Sequence, residues 1–159
     1  MNVLFTAFNG KNNSSKILLD NIDASEKNKL YLKNSFKTSV EQLEDKLKKD
    51  DYDLIISFGQ APLEKDMIKI ELQGVLEDVY KTNFDYSTIE NKLKSCDYNV
   101  SISSDAGNYL CNNIYYHGLK YISEDKSNCK MIFIHIPEEN NITDIIKLSN
   151  IFEDDNKVI

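Results

Sequence analysis

Arginine and tryptophan are absent from this 159-residue chain; all nineteen basic side chains are lysine. Without a guanidinium there is no planar, multi-donor fork, so a carboxylate or phosphate would have to be met by ammonium groups or backbone N–H. Histidine is scarce as well. Only His117 and His135 occur, which excludes a histidine-rich metal centre. The three cysteines, Cys96, Cys111 and Cys129, are odd in number and none has CxxC spacing, so neither a disulfide framework nor a zinc site is expected. No metal and no cofactor is implied. Long apolar runs are missing too: none approaches the roughly 20 residues that span a bilayer. The opening Met1-Asn2-Val3-Leu4-Phe5 lacks the basic region and cleavage site of a signal peptide, so a cytoplasmic protein with no membrane partner is expected. Net charge is −7 and no basic patch stands out, which argues against a nucleic-acid partner.

What is present is ordinary globular composition, 41% apolar and 28% charged, in a length that suits one domain over residues 1–159 with a substantial core. Asn2 to Phe8 reads as a buried strand, and Ser14 or Ser15 would cap a helix carrying Ile17, Leu18, Leu19 and Ile22. Lys29 to Leu32 is a short strand. Thr38-Ser39-Val40-Glu41 has the form of a capping box before an amphipathic run to Lys49, and Asp53 to Phe58 is a second buried strand ending at Gly59. Met67 to Leu72 alternates like a half-exposed strand. Ser87-Thr88-Ile89-Glu90 is a further capping box, and Val100 to Ser103 is a strand. A last helix follows Asn141-Ile142-Thr143-Asp144, and the acidic tail from Glu153 to Lys157 is expected to fray. Strand alternating with helix predicts a three-layer α/β/α fold with a mainly parallel central sheet.

Two segments carry chemistry. Ser104-Asp105-Ala106-Gly107 supplies cap and turn residues, and apolar residues then recur at Leu110, Ile114, Leu119 and Ile122, so a loop turns into a helix with Cys111 near its start. There the free N–H groups and the helix dipole favour an anion, which predicts a lowered thiol pKa and a thiolate nucleophile. Against this, an isolated cysteine is commonly a small buried apolar residue. Lys130-Met131-Ile132-Phe133-Ile134-His135-Ile136-Pro137 reads as a buried parallel strand with His135 at its carboxyl end, where open α/β sheets gather functional groups. A core histidine bonded to a backbone carbonyl is the plainer alternative. Together, a helix-start cysteine and a strand-end histidine are the minimum for a thiol–imidazole pair. Tyr115, Tyr116 and Tyr121 crowd the same helix, and an aromatic surface of that kind points to a homo-oligomer interface.

The blocks Ser104-Asp105-Ala106-Gly107-Asn108-Tyr109-Leu110-Cys111-Asn112 and Phe133-Ile134-His135-Ile136-Pro137 resemble the nucleophile and histidine motifs of type I pyroglutamyl peptidases. Phe58-Gly59-Gln60-Ala61 is similar to that family's glycine-glutamine-alanine turn, and the likeness covers most of the chain from Asn2 to Pro137. The resemblance implies a cysteine peptidase that releases N-terminal 5-oxoproline from peptides. It implies Cys111 as nucleophile, His135 as base and acid, and Glu71 as the match to the orienting glutamate. Phe8, Gln60 and Asn112 are implied on the substrate side.

The chain also departs from the family pattern. Pro62-Leu63-Glu64 replaces two glycines and an arginine, and Leu72 replaces the arginine after the glutamate. Glu71 lies about one residue beyond the family spacing, and in an alternating strand a one-residue slip changes the face; a triad member and a solvated residue both remain open for it. Asn9-Gly10-Lys11 stands where the family has a second phenylalanine, and the segment between Leu72 and Tyr86 is shortened. The alternative function is therefore a non-catalytic binding or scaffold protein, or a thiol hydrolase acting on another small amide.

Overall fold

The structure, a computed structural model, describes residues 1–153, so the acidic tail lies outside the described residues from Asp154 onward. The first strand, β1 (Val3–Phe8), is buried along its whole length and leads into helix α1 (Ser14–Asn21). Next come β2 (Lys29–Leu32), α2 (Phe36–Lys49) and β3 (Leu54–Gln60). β4 (Met67–Glu71) is followed by a small hairpin, β5 (Gln73–Val75) and β6 (Val79–Lys81), and then by α3 (Ser87–Ser95). The chain closes with β7 (Asn99–Ser103), α4 (Leu110–Asp125), β8 (Lys130–Ile136) and α5 (Ile145–Glu153).

Six strands form one sheet in the order β2-β1-β3-β8-β4-β7, while β5 and β6 pair only with each other. The first four strands are mutually parallel; β4 runs antiparallel to β8, and β7 lies parallel to β4. The expected mainly parallel α/β architecture is what forms. Both faces are covered, which is why the central strands read as continuous apolar runs instead of alternating ones. On one face Val3, Phe5, Leu54, Ile56, Ile132 and Ile134 pack with residues of α1, α3 and α5. On the other, Leu4, Ile55, Met131 and Phe133 pack with Leu43 and Leu47 of α2 and with Ile114, Tyr115 and Leu119 of α4. Burying each large side chain of this kind contributes about 1.5–3 kcal/mol.

β1 has β2 on one side and β3 on the other, and the crossover helices α1 and α2 lie on opposite faces. The strand order therefore reverses between β1 and β3, and in open sheets the crevice beyond such a point is where ligands bind. Phe8, Gln60 and His135 stand at or next to the carboxyl ends of β1, β3 and β8 and so border that crevice. The β1–β3 register stops at Ala7↔Phe58, whereas β3–β8 continues to Gln60↔Ile136, so β3 projects past its neighbour on the β1 side.

Several helix starts differ from the sequence reading, at α1 and α2 because a nearer side chain reaches the orphan N–H groups first. Asn13, not a serine, caps α1, its Oδ1 accepting from the N–H and hydroxyl of Ser15. Ser35 caps α2 by accepting from Thr38 N–H, so this helix begins before the Thr38–Glu41 box. At α3 it is Asp85 Oδ1 that accepts from the N–H and hydroxyl of Ser87. At α4 the N-cap is Tyr109, which makes no side-chain cap; Asp105 closes the preceding turn instead by accepting from Gly107 N–H. β4 is more buried than its alternation implied, with Ile68, Ile70 and Glu71 fully covered. Among the described residues no helix is long and apolar enough to cross a membrane.

The tyrosines of α4 also depart from expectation. Tyr115 and Tyr116 are buried; the first packs on Phe133 and the second takes Tyr80 of β6 edge-on at 5.1 Å. They join helix, sheet and hairpin within one chain and do not form an exposed aromatic surface. The hairpin sits close enough to α4 that a Cβ on Gly74 would lie 2.5 Å from the Tyr116 nitrogen and 2.7 Å from its Cα. Because the obstacle is backbone, Gly74→Ala is expected to cost about 1–3 kcal/mol by overpacking. Urea titration checks this as a lowered midpoint with an unchanged slope.

Candidate active site

Three side-chain positions on neighbouring strands define the site. β8 is central, with His135 at its carboxyl end and Phe133 two residues earlier on the same face. On one side β4 pairs Glu71 with Phe133, which makes Glu71 the diagonal neighbour of His135. The open question about its face is thereby answered: Glu71 is fully buried and its Oε2 lies 2.7 Å from His135 Nδ1. On the other side β3 pairs Gly59 with His135, and a Cβ built on Gly59 would fall 2.6 Å from Cys111 Sγ. The sulfur thus occupies the space that a side chain at Gly59 would fill, beside His135 on the same face of the sheet.

Glu71 and His135 form a buried pair with one shared hydrogen bond. Glu71 Oε1 is buried with no hydrogen-bond partner, so Nδ1–H is the carboxylate's sole side-chain donor. With an ionised carboxylate, which only accepts, the shared proton would sit on Nδ1 and Nε2 would be the free nitrogen. The carboxylate is further fixed through its backbone, since the Tyr115 hydroxyl donates to the Glu71 carbonyl at 2.8 Å. Tyr115 stands one helical turn after Cys111, and its ring packs 5.6 Å from that of Phe133, which in turn lies 5.0 Å from the His135 ring.

Cys111 is the second residue of α4, at the helix start as expected, but its thiol is not the acidic one that position alone predicts. The residue retains some exposure, while its sulfur is packed over β3. Burial first, and the Glu71 charge second, push the thiol up to about 12. Desolvation and a nearby carboxylate both oppose the thiolate. Among the described residues Cys111 Sγ makes no hydrogen bond, so the sulfur and His135 stand together without one. The other cysteines are remote from this row: Cys96 ends α3, and Cys129 is buried with its thiol pushed up to about 11. His117 is half-buried and packs edge-on to Tyr116.

The substrate-side residues separate into two groups. Phe8 is buried in the cluster with Leu32, Leu43 and Leu110, and Gln60 is partly exposed with its Oε1 accepting from Ser14 N–H at 2.8 Å. Asn112 has a different place. Its amide clasps Val75 of the hairpin, accepting from the Val75 N–H at 2.9 Å and donating to the Val75 carbonyl at 2.7 Å. The side chain is buried and engaged at both ends, which anchors the first turn of α4 to β5. Tyr115 and Gly59 were missed as site residues. Tyr115 could have been found from its spacing of four after Cys111; nothing in the sequence shows that Gly59 lies under the sulfur.

Residues 75–149 match the sequence model of the pyroglutamyl peptidase family. A pyrrolidone-carboxylate peptidase of Caldanaerobacter subterraneus is 31% identical over 167 residues, covering 86% of this chain and 82% of that protein. One from Brachyspira hyodysenteriae is 31% identical over 142 residues, covering 76% of this chain and 71% of its own. The crystal structure of Bacillus amyloliquefaciens pyroglutamyl peptidase I superposes with a TM-score of 0.83 at 20% identity, over 95% of this chain and 92% of that one, and so shares its fold. This chain, with its mixed six-stranded sheet and its cysteine, histidine and glutamate drawn to one edge of the crevice, belongs to the pyroglutamyl peptidase family.

Proposed function

We propose that the chain is a thiol hydrolase that removes an N-terminal 5-oxoproline from peptides, with Cys111 as nucleophile, His135 as base and then acid, and Glu71 orienting the imidazole. The observation that carries this reading is the buried Glu71–His135 hydrogen bond, in line with a sulfur seated over Gly59 on the next strand. The family of the chain supports the substrate class.

In this mechanism the thiol is neutral at rest, because burial and Glu71 hold its proton. His135 Nε2 takes that proton as Sγ attacks the carbonyl carbon of the 5-oxoprolyl residue, and Glu71 stabilises the imidazolium that results. The carbonyl oxygen becomes an oxyanion. N–H groups of the first turn of α4, which no side chain caps, are donors available to it. The imidazolium then protonates the departing amine, leaving a thioester on Cys111. Water gives a proton to His135 and its oxygen to the thioester carbon; free 5-oxoproline leaves and the thiol regains its proton. The lactam N–H and C=O are met by backbone at the exposed end of β3 near Gln60, with Phe8 beneath. Asn112 serves by fixing the helix start.

A pyroglutamyl fluorogenic amide tests the reading: the wild-type chain is expected to turn it over, and Cys111→Ala to abolish turnover without loss of fold. Binding of a pyroglutamyl peptide with no turnover would favour the scaffold alternative. Glu71→Gln is expected to lower kcat by roughly 10²-fold or more, the scale of a positioned acid–base group.

The pH dependence has a defined sign. A thiol raised to about 12 stays protonated through neutrality, so alkylation of Cys111 by iodoacetamide should rise about tenfold per pH unit from pH 7 to 10 with no plateau. A plateau below pH 9 would show a preformed thiolate instead.

A further inference from the structure

We propose that Gly59 is a positioning residue for the nucleophile: its missing side chain forms the seat in which the Cys111 sulfur rests beside His135. The inference deepens the thiol-hydrolase reading and rests on it for its catalytic arm.

Three observations meet at this position. Gly59 and His135 are registered partners on adjacent parallel strands, so any side chain at 59 would emerge beside the imidazole, about 4.8 Å away across the sheet and on the same face. That space is already filled, since a Cβ at 59 would stand 2.6 Å from Cys111 Sγ and 2.9 Å from both Cε1 and Cζ of Phe133. Real Cβ atoms do not approach heavy atoms so closely, so either the sulfur or the ring would have to move. Phe133 is the less able to yield, because it is fully buried and held between the Tyr115 and His135 rings. The sulfur is the freer partner. It makes no hydrogen bond among the described residues, and Cys111 is only partly buried, whereas Phe133 is fully buried.

Nothing about the backbone requires glycine here. Gly59 continues β3 without positive φ, unlike Gly10 and Gly107. The need is for space and not for conformation. Filling the seat would drive the sulfur up and outward, away from the imidazole and toward solvent. Catalysis and simple thiol reactivity should then move in opposite directions, which a general loss of packing would not produce.

The test uses the full chain with Gly59→Ala, compared by kcat and KM on the pyroglutamyl amide and by site-resolved iodoacetamide labelling at neutral pH. The expected result is kcat reduced about 10²-fold with KM within a few-fold, the scale of displacing a reacting group by about an ångström. Labelling of Cys111 should become several-fold faster while Cys129 remains protected. Rapid labelling of Cys129 together with Cys111 would mean general loosening and would overturn the assignment; so would wild-type kcat with unchanged Cys111 labelling. Phe133→Leu, alone and combined with Gly59→Ala, removes the ring clash but keeps the sulfur clash, and also provides for a single variant that folds poorly. Activity restored in the double variant would assign the conflict to the ring and overturn the proposal; activity still low with fast Cys111 labelling supports it. The labelling arm needs no substrate, so it reads the seat even if the pyroglutamyl assay fails in the wild-type chain.

Discussion

The buried hydrogen bond between Glu71 and His135 is the constraint around which the rest of this structure is arranged. A fully covered carboxylate with one oxygen unpartnered is a costly group, and removing its single side-chain donor would leave an uncompensated buried charge. The pair persists because its surroundings allow no other placement. β4 enters antiparallel against β8, which puts Glu71 opposite Phe133 and within diagonal reach of His135. Tyr115 then ties the Glu71 carbonyl to α4.

The same helix carries Cys111, so one element links both ends of the row formed by Cys111, His135 and Glu71. α4 meets the sheet through Tyr115 and the hairpin through Asn112 and Gly74, and each of these contacts fixes where its first turn lies. The short hairpin of β5 and β6 therefore acts as a brace on the helix start. The row in turn governs the chemistry. Glu71 raises the affinity of the neighbouring thiol for its proton, and in the proposed mechanism it would also stabilise the imidazolium formed when that proton moves. In the proposed mechanism the thiol therefore rests protonated and gives up its proton only during attack.

Much of this was legible in the sequence, for identifiable reasons. Strands buried on both faces announce themselves as apolar runs, so β1, β3 and β8 could be placed, and His135 with them at a strand end. The cysteine helix was legible from apolar spacing. Its cap was not, because Ser104 and Asp105 lie in the preceding loop, where Asp105 closes a turn by accepting from Gly107 N–H. The face of Glu71 could not be read from alternation, since that depends on the register of β4 against β8, a long-range pairing. The surroundings of the thiol were hidden for a similar reason: the helix start is local, but the burial and the carboxylate that oppose a thiolate come from β3 and β4. The tyrosines of α4 were read as surface because the hairpin that covers Tyr116 has strands too short to signal themselves.

The claim at the centre of this account is a covalent intermediate on Cys111, formed by a thiol that His135 deprotonates during attack. Acid-quenched mass spectrometry of the enzyme during turnover of a pyroglutamyl ester tests it most directly. The account predicts a 5-oxoprolyl adduct mapping to the peptide that contains Cys111, accumulating in wild-type chain and missing from Cys111→Ala. Turnover with no adduct at any time, or an adduct carried by Cys96 or Cys129 instead, would contradict it.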